Sequence, residues 1–375
     1  MPKKYRVAAI GFAHSHIETN LKEFAGCADR VEMVAAADVM PRTQSLSVEP
    51  GTRVDELKQA IRLYGMKEYD DYNELIEENE IDICCVCAEN AYHPLIAEKL
   101  LARGIHVVFE KPMAADFKGA MRIWRAARAG NAKVVTNWPT AWSPEIRKAK
   151  ELADAGKIGR LFKFSYRNSD SQGPLSYGQK ITEEELAAEW WYSSDLGGGS
   201  MLDYCCYGAC MSCWFFGQKP VSAYGLKANI NSHYGDAEDY AAIMAKFPSA
   251  VAHLEGSWTT VNCGVPAGPL IYGTEGTIVV NRKNGVEIYK SRHTDKPDEI
   301  VEAPPLEAGR SNLGEETLHN LETGDPLFPL LDLPLNMQAM AILDAGARSA
   351  ASGKLEACGD DVWTIGKDSD MPLVW

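Results

Sequence analysis

The chain of 375 residues is 46% hydrophobic and 24% charged, a composition typical of a globular protein with a large core, and its length suggests two domains. A formal net charge of -14 argues against nucleic acid or an anionic membrane as a partner, and no apolar run is long enough to span a bilayer. Because the first residues contain no apolar signal-peptide segment, we expect a cytoplasmic protein.

Short apolar runs alternate with amphipathic stretches over residues 1–137. The runs are continuous, which is typical of parallel strands buried on both faces. The predicted strands are Val7–Ile10, Val31–Ala37, Ile81–Ala88, Ile105–Phe109 and Lys133–Thr136. The predicted helices are Glu18–Phe24, Arg53–Tyr64, Tyr72–Glu78, Pro94–Ala102 and Phe117–Ala129. This alternation predicts a Rossmann-type α/β domain, a doubly wound parallel sheet whose strands end along one ligand-binding edge.

The first predicted strand runs into a turn where a dinucleotide-binding fold has the pattern G-x-G-x-x-G. The turn reads Gly11-Phe12-Ala13-His14-Ser15-His16. Only its first position matches the pattern, but a turn between a buried strand and a helix presents amide groups that can hold phosphate. We therefore predict that these six residues bind the cofactor.

The two histidines of this turn could bind a metal ion. Metal sites usually have a third and a fourth ligand, and the sequence shows no obvious acidic partner for His14 and His16. We predict no metal, and expect one histidine to face the cleft or a phosphate while the other packs.

The ten cysteines are predicted to be buried free thiols, as is usual in a reducing compartment. Two groups of them lie close together in the sequence. They are Cys84, Cys85 and Cys87 in a predicted strand, and Cys205, Cys206, Cys210 and Cys213 in a predicted helix. Neither group has paired C-x-x-C motifs at zinc spacing, although three of the second group share one helix face.

Asp38 follows the second predicted strand. A carboxylate at that point accepts hydrogen bonds from the adenosine ribose and repels a 2′-phosphate, so it favours NAD over NADP. A helix cap or a solvated strand end is the alternative reading. Arg42 keeps NADP possible, because a guanidinium nearby could receive the phosphate.

Lys111 follows the predicted strand Ile105–Phe109. It therefore lies at the sheet edge where open α/β sheets place their catalytic residues. Burial there would lower the pKa of the ammonium group toward the range useful for acid–base catalysis. The alternative is a surface lysine at a strand end, with Pro112 beginning the next turn.

The pattern changes near Trp138, where strands with alternating apolar residues replace the continuous runs. The predicted strands are Leu161–Asn168, Val221–Asn229, Tyr240–Phe247, Val251–Thr259, Ile278–Asn281 and Val286–Tyr289. The predicted helices are Ser143–Ala155, Met201–Phe216 and Asn336–Ser352, with a loop over residues 291–314. Alternation predicts strands with one covered face, so residues 138–375 are expected to form an α+β domain with a large, mostly antiparallel sheet.

Five segments, in this order, resemble the glucose–fructose oxidoreductase, inositol dehydrogenase and MocA family of oxidoreductases over nearly the whole chain. They are Asn90 and His93 with Gly104–Val107, the tripeptide Glu110-Lys111-Pro112, Gly156–Gly159, Trp191 with Gly197–Asp203, and Gly273–Gly276. The resemblance implies an NAD-dependent enzyme and a homodimer or homotetramer. It also adds Asn90, His93, Glu110 and Lys111 to the expected cofactor-binding residues.

The resemblance further implies that Asp203 and Tyr207 share the active site with Lys111. Most relatives have histidine where this chain has Tyr207, and the tyrosine resembles the variant found in glucose–fructose oxidoreductase and dihydrodiol dehydrogenases. Cys205, Cys210 and Glu89 also depart from the family pattern. Oxidation of a secondary alcohol needs a proton acceptor, for which Lys111 is the expected group, with Tyr207 and Asp203 beside it.

Tryptophans near this cleft in sequence are candidates for stacking on a sugar ring or aglycone, and they are Trp138, Trp142 and Trp191, with Trp190 and Tyr192 beside them. Core filling is the alternative for each one.

The leading hypothesis is an NAD-dependent dehydrogenase acting on a sugar, glycoside or cyclitol, with oxidation at C3 as one option. A redox-neutral enzyme that keeps NAD bound, for glycoside cleavage or epimerisation, and a non-catalytic NAD- or sugar-sensing regulator are the rivals.

Overall fold

The computed structural model describes residues 4–40, 52–169, 182–232, 234–260, 266–281, 285–293 and 295–359, and its first part contains a six-stranded sheet. The strands are β1 (Tyr5–Phe12), β2 (Val31–Ala37), β3 (Lys67–Tyr69), β4 (Ile83–Cys87), β5 (His106–Glu110) and β6 (Val134–Asn137). All neighbours pair in parallel, in the order β3-β2-β1-β4-β5-β6. The order reverses between β1 and β4, so the carboxyl ends of these strands border the crevice in which doubly wound sheets bind ligands.

Five helices connect these strands and cover the sheet. They are α1 (His16–Ala25), α2 (Arg53–Tyr64), α3 (Tyr72–Glu78), α4 (His93–Leu101) and α5 (Phe117–Gly130). All five residues of β4 are buried, which explains why its sequence is a continuous apolar run. Local chemistry sets the helix starts: the Asp116 carboxylate accepts a hydrogen bond from the Gly119 N–H at the start of α5, and Pro94 lies in the first turn of α4, where a proline costs no hydrogen bond.

The second part of the chain forms a nine-stranded sheet. Its strands are β7 (Leu161–Ser169), β8 (Ser222–Ala228), β9 (Tyr240–Lys246), β10 (Val251–Ser257), β11 (Leu270–Gly273), β12 (Gly276–Asn281), β13 (Gly285–Tyr289), β14 (Glu299–Val301) and β15 (Glu356–Ala357). The order is β14-β13-β12-β11-β7-β10-β9-β8-β15, in which β7 and β10 pair in parallel and the other neighbours are antiparallel. Burial alternates along β9, as expected for a sheet with one covered face.

The described residues of this part also form five helices, of which the first, third and fifth pack against strands of the sheet. They are α6 (Pro144–Asp154), α7 (Glu183–Ala188), α8 (Cys206–Phe216), α9 (Leu313–Thr323) and α10 (Leu333–Ser352). α8 is preceded by a π-helical turn over Met201–Cys205, a rare geometry often found at functional sites. α8 packs against β7 and β10, and α10 packs against β8 and α8.

The last two long helices also connect the two sheets. α10 contacts α5 and β6 of the first part, and the Trp138 indole N–H donates to Asn336 Oδ1 at 2.8 Å. α9 returns to α1, where the Leu313 N–H donates to Glu23 Oε2 at 2.9 Å. A Cβ added to Gly314 would lie 2.6 Å from the Glu23 carbonyl oxygen, so only glycine allows this close approach of the two helices.

The predicted fold class is confirmed, because a parallel Rossmann-type sheet is followed by a mixed, mostly antiparallel sheet. The elements that the sequence did not predict are α7, α9 and the short strands β3, β11, β14 and β15. The loop predicted over residues 291–314 was wrong in part, because β14 and the start of α9 lie within it. α10 starts three residues before the predicted Asn336, because Pro334 occupies its first turn and Asp332 caps it. Within the described residues, no helix combines the length and apolarity that crossing a membrane requires.

Candidate functional site

The turn after β1 approaches the end of β4 very closely. Gly11 has a φ of +84°, and a Cβ added there would lie 2.5 Å from the Ala88 nitrogen, so the position requires glycine. The Ala13 N–H donates to the Cys87 carbonyl at 2.9 Å and fixes the turn against β4. The first glycine of the expected phosphate-binding pattern therefore has its structural reason here, although Ala13 and His16 replace the other two.

Asp38 lies at the end of β2, beside this turn, and is already engaged by other groups of the chain. Its Oδ1 accepts from the Phe12 N–H at 2.9 Å and the Val39 N–H at 2.8 Å. Arg53, the first residue of α2, donates to Oδ2 at 2.7 Å and to Oδ1 at 2.9 Å. The carboxylate thus orders the turn after β1, and one of its lone pairs, on Oδ2, is left for a ribose hydroxyl.

Arg53 links Asp38 to Glu89, a carboxylate with no solvent exposure in the turn after β4. The guanidinium Nη1 donates to Glu89 Oε1 at 2.8 Å. Burial disfavours the charged guanidinium, but its hydrogen bonds and attraction to Asp38 and Glu89 outweigh burial and raise the pKa of Arg53. Sequence reasoning missed Arg53, since nothing in the helical pattern of residues 53–64 points to a partner at residue 38 or 89. Arg42 lies outside the described residues.

His14 and His16 meet Glu110, the last residue of β5. His16 Nδ1 lies 2.8 Å from Glu110 Oε1, and His14 Nε2 lies 3.9 Å from the same oxygen. The expectation that no carboxylate accompanies the histidines was therefore wrong, because a residue 94 positions from His16 supplies one. Burial lowers the pKa of His14 well below its ordinary value, helped by His16 and Lys111.

Lys111 is buried at the carboxyl end of β5, where it pairs with Asp203 from the π-helical turn. Its Nζ donates to Asp203 Oδ1 at 2.7 Å and to the Asp203 carbonyl at 3.0 Å, and lies 4.8 Å from the centre of the Tyr207 ring. The three residues predicted to share the active site are thus in contact. The contact between Lys111 and Asp203 therefore joins the end of β5, in the first sheet, to the π-helical turn before α8, in the second part of the chain.

The direction predicted for the pKa of Lys111 was wrong. Burial alone would lower it, but the charge of Asp203, with Tyr207 and neighbouring groups, raises it well above the ordinary value. Burial raises the pKa of Tyr207 well above its ordinary value. In this structure Lys111 is therefore an ammonium group and Tyr207 a neutral phenol.

Trp258, which follows β10, is a further member of the site that the sequence did not reveal. Its indole N–H donates to Asp203 Oδ2 at 3.0 Å, so the buried carboxylate lies between Lys111 on one oxygen and Trp258 on the other. Trp258 belongs to an aromatic cluster that also contains Ala13 and the residues Trp190, Trp191, Tyr192 and Leu196.

The aromatic cluster joins the second part of the chain to the turn after β1. The Trp190 N–H donates to the Ala13 carbonyl at 2.9 Å, and Trp190 stacks on Trp191 with ring centroids 4.0 Å apart. Trp191 meets the His14 ring edge-on at 5.0 Å. Trp138 is buried behind Tyr207 with centroids 5.5 Å apart, and the Trp142 N–H donates to Asn137 Oδ1 at 3.1 Å. Substrate contact by Trp138, Trp142 and Trp191 stays a prediction.

Asn90 and His93 are buried, and the side chain of each contacts a backbone carbonyl group. The Asn90 amide donates to the Gly197 carbonyl at 2.8 Å, which connects the turn after β4 to the glycine-rich segment. His93 Nε2 lies 3.0 Å from the Ala88 carbonyl oxygen, and burial lowers the pKa of His93 to about 4. Their predicted contacts with a cofactor stay predictions. Ser15 lies immediately before α1, and its predicted contact with a cofactor also stays a prediction.

Both parts of the chain match models of known protein families. Residues 9–137 match a family described as "Oxidoreductase family, NAD-binding Rossmann fold", and residues 146–279 match the GFO/IDH/MocA C-terminal domain. The chain is 27% identical over 184 residues to a dTDP-3,4-didehydro-2,6-dideoxy-alpha-D-glucose 3-reductase of Actinomadura kijaniata, covering 46% of this chain and 52% of that protein. It therefore spans about half the length of this curated relative.

Two further relatives match more of the chain. A levoglucosan dehydrogenase of Pseudarthrobacter phenanthrenivorans is 22% identical over 270 residues, covering 64% of this chain and 66% of that protein. The crystal structure of the WlbA dehydrogenase from Bordetella pertussis, in complex with NADH and UDP-GlcNAcA, superposes with a TM-score of 0.72 at 18% identity, covering 95% of this chain and 99% of that one. The structural likeness shows the shared fold.

Proposed function

Because the chain belongs to the GFO/IDH/MocA family of oxidoreductases with an NAD-binding Rossmann fold, we propose that it is an NAD-dependent dehydrogenase. Its substrate is a sugar, glycoside or cyclitol, of which a secondary hydroxyl is oxidised, with C3 of a sugar ring as one option. The observation that carries the proposal is the buried Lys111–Asp203 pair at the carboxyl end of β5.

The residues at the strand ends fit a dinucleotide. Gly11 leaves no side chain between the ends of β1 and β4, which supports close approach of a pyrophosphate to the backbone. Asp38 keeps one acceptor position, on Oδ2, that a ribose hydroxyl of a bound dinucleotide would fill.

The cofactor preference follows from the charges around Asp38. Two carboxylates, Asp38 and Glu89, surround one guanidinium, Arg53, so the ribose end of the crevice carries an excess of acidic groups. A 2′-phosphate is repelled by such a group, which supports NAD over NADP. Arg53 is occupied by its two carboxylates, and its position does not offer a free guanidinium to a phosphate.

When bound, NAD supplies the acceptor for the hydride that leaves the substrate carbon. The chain has to orient the hydroxyl and accept its proton. Lys111 Nζ is the group we assign to this task, since it is a buried titratable group at the strand end and is held in place by two oxygens of Asp203. As an ammonium group it first orients the hydroxyl by donating a hydrogen bond.

Before it can accept the proton of the hydroxyl, Lys111 has to release one proton of its ammonium group to water in the crevice and become neutral. The pairing with Asp203 opposes this, whereas a cationic ring in the crevice would favour it by repulsion. Tyr207, beside Lys111, can donate a hydrogen bond to the same substrate oxygen. The sugar or cyclitol class is supported by the relatives, several of which are dehydrogenases or reductases of sugars and cyclitols by name, and by the aromatic cluster beside the site.

Lys111→Met tests the proposal. The substitution keeps an unbranched apolar stem and removes the ammonium group, so turnover should fall by about a hundredfold or more, as loss of an acid–base group usually causes. NADH formation with a panel of monosaccharides, aryl glycosides and inositols is measured with NAD and with NADP. Lys118→Met, at an exposed position of α5, is the matched control and should leave turnover unchanged.

Two outcomes would contradict the proposal. Near-normal turnover of Lys111→Met would remove the lysine from the chemistry. Turnover of a glycoside without NADH release, by protein purified with bound nicotinamide, would show a redox-neutral reaction on the same site instead of a net dehydrogenation.

A further inference from the structure

The cluster of His14, His16 and Glu110 has no task in the proton transfer assigned to Lys111. We propose that these three side chains form a binding site for a divalent transition-metal ion of the zinc type. The inference goes beyond the dehydrogenase activity, because it concerns an ion held by the turn after β1 and the end of β5, and it stands whether or not NAD is reduced there.

The donor atoms have nearly the spacing of metal ligands. The three ligand atoms all lie within 4.8 Å of one another, with 2.8 Å between His16 Nδ1 and Glu110 Oε1 and 3.9 Å between His14 Nε2 and the same oxygen. Ligands at bond lengths of about 2.0–2.1 Å around a tetrahedral zinc are about 3.3 Å apart. The two distances lie on either side of that value, so small side-chain rotations bring the set to coordination geometry.

Glu110 provides a second, independent observation. The residue is 2% exposed, and its Oε2 has no hydrogen-bond partner among the described residues. A buried carboxylate oxygen without a partner is costly, and such groups usually face a counter-charge or an ion. The adjacent ammonium of Lys111 does not fill this role, because its hydrogen bonds within the described residues go to the carbonyl and the carboxylate of Asp203.

Two rearrangements accompany binding. The hydrogen bond between His16 Nδ1 and Glu110 Oε1, at 2.8 Å, opens and its proton is released, so that both atoms can face the ion. In this structure the backbone N–H of His16 donates to His14 Nδ1 at 3.1 Å, so a neutral His14 carries its proton on Nε2. Coordination through Nε2 moves that proton to Nδ1 and opens the contact, at a cost of about 1 kcal/mol for one hydrogen bond. The contact is long and local, and the ion replaces it with a bond to a buried carboxylate.

The ligand set selects the ion. Two imidazoles and one carboxylate suit zinc, iron, nickel and copper, whereas magnesium and calcium prefer sets of oxygen ligands. Three protein ligands leave at least one position open, as in catalytic zinc sites. The His16 side chain is 26% exposed, so the open position is reachable from the crevice.

Metal titration of the full chain tests the proposal without any readout of activity. Protein purified without a histidine tag and stripped with a chelator is titrated with Co²⁺, followed by its visible absorption bands, and with Zn²⁺ by calorimetry. We expect one ion per chain, and we expect Glu110→Gln and His16→Gln each to weaken binding about tenfold or more. His253→Gln, at an exposed histidine of β10, should bind as the unchanged protein does.

Thermal unfolding of each variant confirms that it is folded, and His16→Gln alters a partly exposed position that tolerates an amide. The proposal is overturned if no saturable binding is seen, or if one ion binds equally well to both variants. A thiolate-to-Co²⁺ band in the near ultraviolet would overturn it too, because it would place the ion on the buried cysteines. A dehydrogenase that fails these tests is still a dehydrogenase, so the two proposals fail separately.

Discussion

At the scale of single residues, the carboxylate of Asp203 has the largest effect on the active-site lysine, because its charge raises the pKa of Lys111. Lys111 was predicted from its position at a strand end, Asp203 was predicted from the family resemblance, and the two side chains meet at 2.7 Å. Trp258 was not predicted, since it lies 55 residues further along the chain and its one relevant atom is an indole N–H. Sequence patterns place residues on elements, whereas a hydrogen bond between distant elements depends on how the sheets pack.

Trp258→Phe removes the indole N–H and keeps most of the ring. Asp203 Oδ2 then loses its donor in a buried setting, and the carboxylate moves relative to Lys111. We expect kcat to fall about tenfold, equivalent to about 1.4 kcal/mol, with a smaller change in KM, because Trp258 positions a group and does not touch substrate. The measurement is steady-state kinetics across pH, in which the limb that reports Lys111 should also shift.

Trp214→Phe is the matched control. Trp214 lies on α8, where its ring packs against Phe215 and against Phe328, away from the site. Its kinetics should equal those of the unchanged protein. A rise in KM with unchanged kcat in Trp258→Phe would show that the residue binds substrate, contrary to the positioning role.

At the scale of secondary structure, burial explains both what was predicted and what was missed. β4 and β5 were predicted because strands covered on both faces need continuous apolar runs. β3 has two exposed residues and only three in all, so it leaves no periodic signal. α9 was missed because its sequence carries glycine, histidine and several polar residues, and its buried side is recognisable only once α1 is present to cover it.

The packing of α2 against α1 has a dependence on pH. Glu56, on α2, is buried, and burial, with the charges of Glu18 and Asp55, raises the pKa of Glu56 to about 7. The folded state therefore binds a proton that the unfolded chain releases near its ordinary pKa of 4.5. The free energy of unfolding contributed by this group is present at low pH and is lost as the pH rises through about 7.

Glu56→Gln should remove this loss. We expect the variant to be more stable than the unchanged protein by about 1–2 kcal/mol at pH 8, and nearly equal to it at about pH 4, because below pH 4.5 the carboxyl group is largely protonated in both the folded and the unfolded chain. Urea unfolding at both pH values measures the difference. Glu68→Gln, at an exposed position of β3, should give the same stability as the unchanged protein at both pH values, and an equal gain in the two variants would refute the burial argument.

At the scale of the whole molecule, two sheets of different character meet at one site. The change from continuous to alternating apolar runs predicted the change of sheet type, and the fold confirms it. The outer face of the nine-stranded sheet presents large apolar side chains on neighbouring strands. They are Tyr224 and Leu226 on β8, Met244 on β9 and Val251 on β10, each at least 39% exposed. Such a face needs a cover, which is the basis for the predicted homodimer or homotetramer.

Met244→Glu places a charge at the centre of this face, where Met244 is paired with Tyr224 and His253 on the neighbouring strands. Light scattering of the unchanged protein should give a multiple of the chain mass of 41.2 kDa, and the variant should shift toward a single chain. Leu63→Glu, at an isolated exposed leucine of α2, should leave the mass unchanged. A monomeric unchanged protein would refute the predicted assembly.

The contact of α9 with α1 has a consequence for how the chain is completed during synthesis. The Leu313 N–H meets Glu23 across 290 residues of sequence, and Gly314 lies against the backbone of Glu23 and Phe24. The ribosome therefore finishes the first sheet long before the helix that covers α1 exists. A fragment ending after β6 would leave that side of α1 open to water, so this side of the Rossmann half is covered only once α9 has been synthesised.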